Sequence, residues 1–343
     1  MFNKLYDFFK GFIKNYYPVL IVLFVVIFIN YVKVPYEIMM PGGMINLTDR
    51  ISIDGEKVDL DGSFNMAYVS VVSGSIPYYL VGKYIIDDWD VYKMETDTYD
   101  QEFVEEDEMR SKLDLKQSKN VAKVAAFNAA GIKYEIGNKF NYVTYIIEGA
   151  DTTLKVGDDV RKVNGNVISD IEELRTIISN SNKDDIINFE VERNGKLVNA
   201  TAKVLVVDGE NKINVGVLTT YDIISDINVE IGTRESESGP SGGMMMALMV
   251  YNAITKQDLT NGLNVVGTGT IDEDGNVGEI GGIKYKVIGA YKQGANIFLV
   301  PKGNYEDAVE VQKEKGYNDL EIVCVEKLED AIKYLENKSN SLH

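Results

Sequence analysis

The chain has 343 residues, room for two or three domains with real apolar cores, and an ordinary balance of 45% hydrophobic and 26% charged residues. A formal charge of −18 argues against nucleic acid as a partner, because binding phosphates needs a basic surface. The one histidine, His343, ends the chain and the one cysteine is Cys324. This excludes Ser-His-Asp and Cys-His catalysis, histidine or cysteine metal clusters and an internal disulfide.

A hydrolase made from this chain is left with carboxylates, or with serine or threonine activated by lysine, and no cofactor or metal is expected. Residues 15–32 carry no charge and include Val19-Leu20-Ile21-Val22-Leu23-Phe24-Val25-Val26-Ile27-Phe28-Ile29. As a helix they rise about 27 Å, close to a bilayer's hydrocarbon core. Tyr16, Tyr17 and Tyr31 stand at the two ends, where aromatic belts sit. Lys4, Lys10 and Lys14 precede the stretch against Asp7 alone, and Lys33 is the only basic residue close behind. The positive-inside rule makes residues 1–14 a cytoplasmic tail and 15–33 a single transmembrane helix in the cell membrane, with the remainder extracellular. A cleaved signal peptide is the rival reading, but no small-x-small site follows in Tyr31-Val32-Lys33-Val34-Pro35-Tyr36.

Residues 34–130 read as a β-rich segment with a helix. Ile51-Ser52-Ile53 and Ala67-Tyr68-Val69-Ser70-Val71 alternate, with turns at Asp54-Gly55 and Asp61-Gly62. The acidic stretch over 87–108 reads as a solvated face, with a metal site as the competing reading. A helix is expected over about 112–130, with Val121, Val124 and Ala125 on one side and Gly131 as its stop.

Residues 131–205 have a compact order. Strand-like Tyr142-Val143-Thr144-Tyr145-Ile146-Ile147 is followed by Leu154-Lys155-Val156-Gly157-Asp158 and a hairpin turn at Asn164-Gly165. A helix over 170–179 places Ile171, Leu174, Ile177 and Ile178 on one face, and a second turn falls at Asn194-Gly195. This order resembles a PDZ domain of the protease-associated kind, which implies binding of extended peptides by strand addition. Gly131-Ile132-Lys133-Tyr134 matches the usual carboxylate-binding loop poorly.

The last segment, 210–337, carries the chemistry. Gly239-Pro240-Ser241-Gly242-Gly243 runs straight into Met244-Met245-Met246-Ala247-Leu248-Met249-Val250. A serine on a tight turn at a helix start has unpaired backbone N–H groups and the positive dipole end beside it, which suits a nucleophile forming an oxyanion. Taken alone, such a serine is more often a helix N-cap than a nucleophile. Further on, Gly281-Gly282 opens a second helix in which Lys284, Val287, Ile288 and Tyr291 share a face and Lys286 falls on another. Burial on that face lowers the pKa of Lys284 toward neutrality, as a lysine base requires; the competing reading is a snorkelling side chain. Cys324, within Ile322-Val323-Cys324-Val325, reads as part of a buried strand.

Ser241 and Lys284 lie 43 residues apart. Between and beyond them stand Gly267-Thr268-Gly269-Thr270, Gly278-Glu279-Ile280-Gly281-Gly282 and Ile297-Phe298-Leu299-Val300-Pro301 with Asn304. Together these phrases resemble the Lon protease proteolytic domain, and the whole order resembles the membrane-anchored, PDZ-containing Lon-like proteases of Gram-positive bacteria. Ser238 departs from the pattern, since many Lon enzymes have aspartate there. The fold class implied is α+β: a transmembrane helix, a β-rich segment, a PDZ-like domain and a Lon-type α/β proteolytic domain. The resemblance also implies a serine endopeptidase with a Ser241–Lys284 dyad, Thr268 near the lysine, a polypeptide substrate and a homo-oligomeric ring. No Gly-x4-Gly-Lys-(Ser/Thr) loop occurs, so cleavage without ATP is expected. The alternatives are a catalytically inactive, membrane-tethered PDZ scaffold and a carboxylate metal hydrolase.

Overall fold

The computed structural model describes residues 2–94 and 101–342; His343 and the centre of the acidic stretch, 95–100, lie outside them. The chain divides into two compact units, one of Met1–Gly42 with Val69–Gln101 and one of Gly43–Tyr68 with Glu102–His343.

In the smaller unit, helix α1 (Phe2–Tyr31) runs unbroken through Pro18. Its stretch Lys10–Tyr31 has a mean hydropathy of 2.2 and none of it is buried by protein, which suits a bilayer as its surroundings. Strand β1 (Lys33–Asn46) follows after Val32 alone; its Tyr36 to Met39 pair antiparallel with a short strand, Asp90–Lys93. Helix α2 (Ile76–Tyr84) packs on this pair. Residues 34–100 read as β-rich from the sequence, with no helix expected before about 112. Pro77 in the first turn starts the helix, and Gly82 gives it a flat face against Ile38 and Val91.

The larger unit holds two cores. One lies under an antiparallel sheet in the spatial order Lys196–Lys203, Ile186–Arg193, Asp159–Val163, Tyr134–Ile146, Val215–Ser225. Helix α4 (Ile171–Ser179) closes it, burying Leu174 and Ile178 beside Val143, Phe189 and Val191. Asp170 caps this helix by accepting from the N–H groups of Glu172 and Glu173. Asn194 and Gly195, at φ 50° and 72°, make the left-handed turn that fixes the register of the last two strands. Asp158, fully buried, is held by Arg193 at 2.6 and 2.7 Å.

The second core surrounds four parallel strands: Ser63 to Met66, Asn264–Gly267, Ile297–Pro301 and Glu321–Val325. Alternation sends Val265 and Leu299 to one face and Val266, Phe298 and Val300 to the other. The first face is covered by α3 (Gln101–Ala130), α5 (Gly243–Thr255) and α8 (Leu328–Leu342). The second is covered by α6 (Ile283–Lys292) and α7 (Tyr305–Lys315). Helix α3 starts well before the expected residue 112, and Gly131 at φ 69° ends it as read. Cys324 is exposed, against expectation. Its strand is the sheet's edge, which the apolar run could not reveal.

Candidate active site

Ser241 sits half-buried in a turn just ahead of α5. The N-cap of that helix is Gly242, with no side-chain cap bond, so the Ser241 hydroxyl is not used for capping. Two neighbours pin the turn. From α3, the Ser111 carbonyl accepts the Gly239 N–H at 2.8 Å, and the Ser118 hydroxyl donates to the Pro240 carbonyl at 3.1 Å. From the segment after strand Asn264–Gly267, the Gly269 N–H and the Thr268 hydroxyl both donate to the Ser241 carbonyl, at 2.7 and 3.0 Å. The two glycines make this approach feasible. A Cβ on Gly242 would stand 2.5 Å from the Met66 sulfur, and one on Gly243 2.8 Å from the Ser118 oxygen. The N–H groups of Gly243 and Met244 are engaged by the Pro240 and Gly269 carbonyls.

The lysine buried beside this turn is Lys286, not Lys284. Lys284 is half-exposed, its amine 5.5 Å from the centre of the Tyr285 ring. Lys286 is 3% exposed and donates to the Thr268 hydroxyl at 3.0 Å. The phase of the helix explains the correction. Ile283, Lys286, Val287 and Ala290, spaced by three, one and three, form one buried face, whereas the expected face began one residue later. Tyr285 and Ile288 are buried too, so α6 is enclosed on most sides and apolar spacing alone does not fix which lysine turns inward. The spacing of Lys286 from Ile283 was the available signal.

Burial pushes the pKa of Lys286 down to about 8. Thr268 is itself fully buried, and its hydroxyl accepts from the amine while donating to the Ser241 carbonyl. The expected threonine is therefore beside a lysine, and it ties that lysine to the serine's own peptide group. Asn304 completes the frame, its side chain bonding both the N–H and the C=O of Ile280, at 2.9 and 3.0 Å, just ahead of the left-handed Gly282. In the antiparallel sheet, the edge strand beside α4 is Val215–Ser225, entered through Asn214 at φ 53°. A cavity of about 650 Å³ opens there, lined by Arg175, Ile178, Lys212, Val215 and Gly216. The segment 131–134 instead joins α3 to the strand Tyr134–Ile146.

Residues 198–337 match the Lon protease (S16) C-terminal proteolytic domain and residues 119–204 the PDZ domain. The chain thus carries a Lon-type serine peptidase domain preceded by a PDZ domain. The Lon protease of Campylobacter jejuni is 28% identical over 187 residues, 52% of this chain and 22% of that protein. That of Clostridioides difficile is 34% identical over 116 residues, 34% of this chain and 14% of its own length. The chain therefore spans less than a quarter of these relatives. A crystal structure of the PDZ domain of an SdrC-like protein from Listeria monocytogenes aligns with 23% of this chain and 86% of its own, at 20% identity and a TM-score of 0.21.

Proposed function

We propose that this chain is a membrane-anchored serine endopeptidase whose nucleophile is Ser241 and whose base is Lys286. The observation that carries the reading is the buried relay from the Lys286 amine through the Thr268 hydroxyl to the Ser241 carbonyl. An amine titrating near 8 is partly neutral at physiological pH. In the proposed cycle it takes the Ser241 proton as the oxygen attacks the peptide carbonyl, then delivers that proton to the departing amine. The same neutral amine then activates the water that clears the acyl-enzyme. With Gly243 and Met244 engaged, the oxyanion donors narrow to the backbone N–H groups of Ser241 and Gly242.

The substrate proposed is extended polypeptide, either secreted peptides or exposed segments of membrane proteins, with the edge strand Val215–Ser225 of the antiparallel sheet offering a second docking place. Helix α1 is the proposed anchor, with residues 1–14 in the cytoplasm and the peptidase outside, and a ring of copies is the assembly suggested by analogy. Turnover by this chain is proposed to need no nucleotide.

The test is cleavage of an unstructured fluorogenic peptide by the full chain in lipid vesicles without ATP. Ser241→Ala and Lys286→Met are each expected to abolish it. Full turnover by either variant, or a strict need for ATP, overturns the reading.

A further inference from the structure

Helix α2 has an outward face without a protein partner among the described residues. It packs inward through Gly82, where an added Cβ would lie 3.1 Å from Val91 and 3.3 Å from Ile38. Successive helical residues are 100° apart, so positions two before and two after Gly82 point away from the sheet. Those positions are Leu80 and Tyr84, and both are exposed, Tyr84 at 70%. Ile85, next along, is 71% exposed, and Tyr78 and Tyr92 are also open to solvent. Trp89 flanks the helix, half-buried and stacked on Tyr78 at 6.1 Å.

The surroundings of this face identify its occupant. In the same unit, α2 contacts α1, and Val32 alone separates the end of α1 from strand β1. Tyr36 on that strand lies against Tyr79 of α2, ring centres 4.8 Å apart. Five extended residues from Tyr31 to Tyr36 span at most about 18 Å, so α2 stands within reach of the headgroup layer. Tyrosine, tryptophan and aliphatic side chains on a short helix are the chemistry of that layer. Between residues 76 and 93, Lys83 and Lys93 face Asp87, Asp88 and Asp90, so no net attraction to anionic lipid is provided.

We propose that α2 is an interfacial membrane helix, with Leu80, Tyr84 and Ile85 inserted among the headgroups of the phospholipid bilayer that α1 crosses. This rests on the membrane anchor proposed above. The contact is apolar and aromatic, so it is the same on zwitterionic and anionic lipid.

Trp89, the only tryptophan in the chain, has its Cβ 3.7 Å from where a Cβ on Gly82 would stand, so it lies on the inward side of α2, and the probe chain carries Trp89→Phe with Tyr84→Trp. This full chain is reconstituted in phosphatidylcholine vesicles, with and without lipids brominated near the headgroup. Emission from position 84 is expected to be roughly halved by the brominated lipid and little affected by aqueous iodide, as for a side chain at the acyl boundary. Leu80→Glu combined with Ile85→Glu in the probe chain reverses both responses, while cleavage of a small soluble peptide is unchanged. Free quenching of the probe chain by iodide, in a chain that survives an alkaline wash of the vesicles, overturns the inference and leaves the anchor standing. Shielding from both quenchers shows protein on this face and also overturns it. Release of the chain by the wash removes the anchor and the inference together.

Discussion

The Lys286 amine and the Thr268 hydroxyl lie 3.0 Å apart, both shut off from water, and the hydroxyl donates its own hydrogen bond to the Ser241 carbonyl. Thr268 thus fixes where the amine points relative to the turn that carries the serine. Burial alone lowers the pKa of Lys286, and no carboxylate among the described residues offsets it.

The two lysines of α6 separate cleanly by substitution. Lys286→Met keeps the packing of the stem and removes the amine, and peptide cleavage is expected to fall by at least about a thousand-fold. Lys284→Met is expected to stay within a few-fold of wild type. Steady-state kinetics on one peptide decide it.

Acidity acts through the same group. In the proposed mechanism the free amine is the working form, and protonation below its pKa removes it. Cleavage therefore rises with pH along a one-proton limb whose midpoint is about 8. A pH–rate profile of kcat/KM reads this directly, and a limb centred near 10.5 would place the base on an exposed lysine.

Thr268→Val removes the acceptor for the amine. The bond favours the charged form more than the neutral one, so its loss moves the midpoint lower. A misdirected amine lowers kcat roughly 10- to 100-fold. Thr268→Ser, which keeps the hydroxyl, is expected to restore both, measured in the same profile.

Close approach sets a fourth expectation. A Cβ on Gly267 would lie 2.9 Å from the Leu299 carbonyl oxygen, which belongs to a paired strand and cannot move aside. Gly267→Ala is expected to destabilise the fold by about 1–3 kcal/mol, seen as a lower melting temperature.

Arg193→Met leaves the buried Asp158 carboxylate without its charged partner, with the Lys155 N–H still donating to it. Breaking a buried pair from one side costs about 3 kcal/mol or more, and urea unfolding is expected to show it.

What could be read from the residues alone was mostly local. The Asn164-Gly165 and Asn194-Gly195 turns appear with positive φ, and Gly131 ends α3. The turn before the apolar α5 was visible because glycine, proline and a methionine-rich run leave few alternatives. Long-range facts were not. The choice between Lys284 and Lys286 depends on one residue of helical phase in a helix enclosed on most sides. The exposure of Cys324 depends on its strand being last in the sheet. Helix α2 was hidden because Ile76-Pro77-Tyr78-Tyr79-Leu80-Val81 has as much strand character as helix character, and tertiary packing decides between them. Ser111 and Ser118, which clamp the turn from over a hundred residues away, have no signature in their own neighbourhood.

Room, or its absence, outlasts chemistry. Gly243 leaves 2.8 Å for Ser118, Gly267 meets the Leu299 carbonyl, and Gly269 would press on Val277. These approaches hold the layers together whether or not a reactive pair meets between them. A descendant that abandoned hydrolysis would be free to shed Ser241 and Lys286, yet it would still need the glycines to fold. Its ancestry would be written in the empty positions.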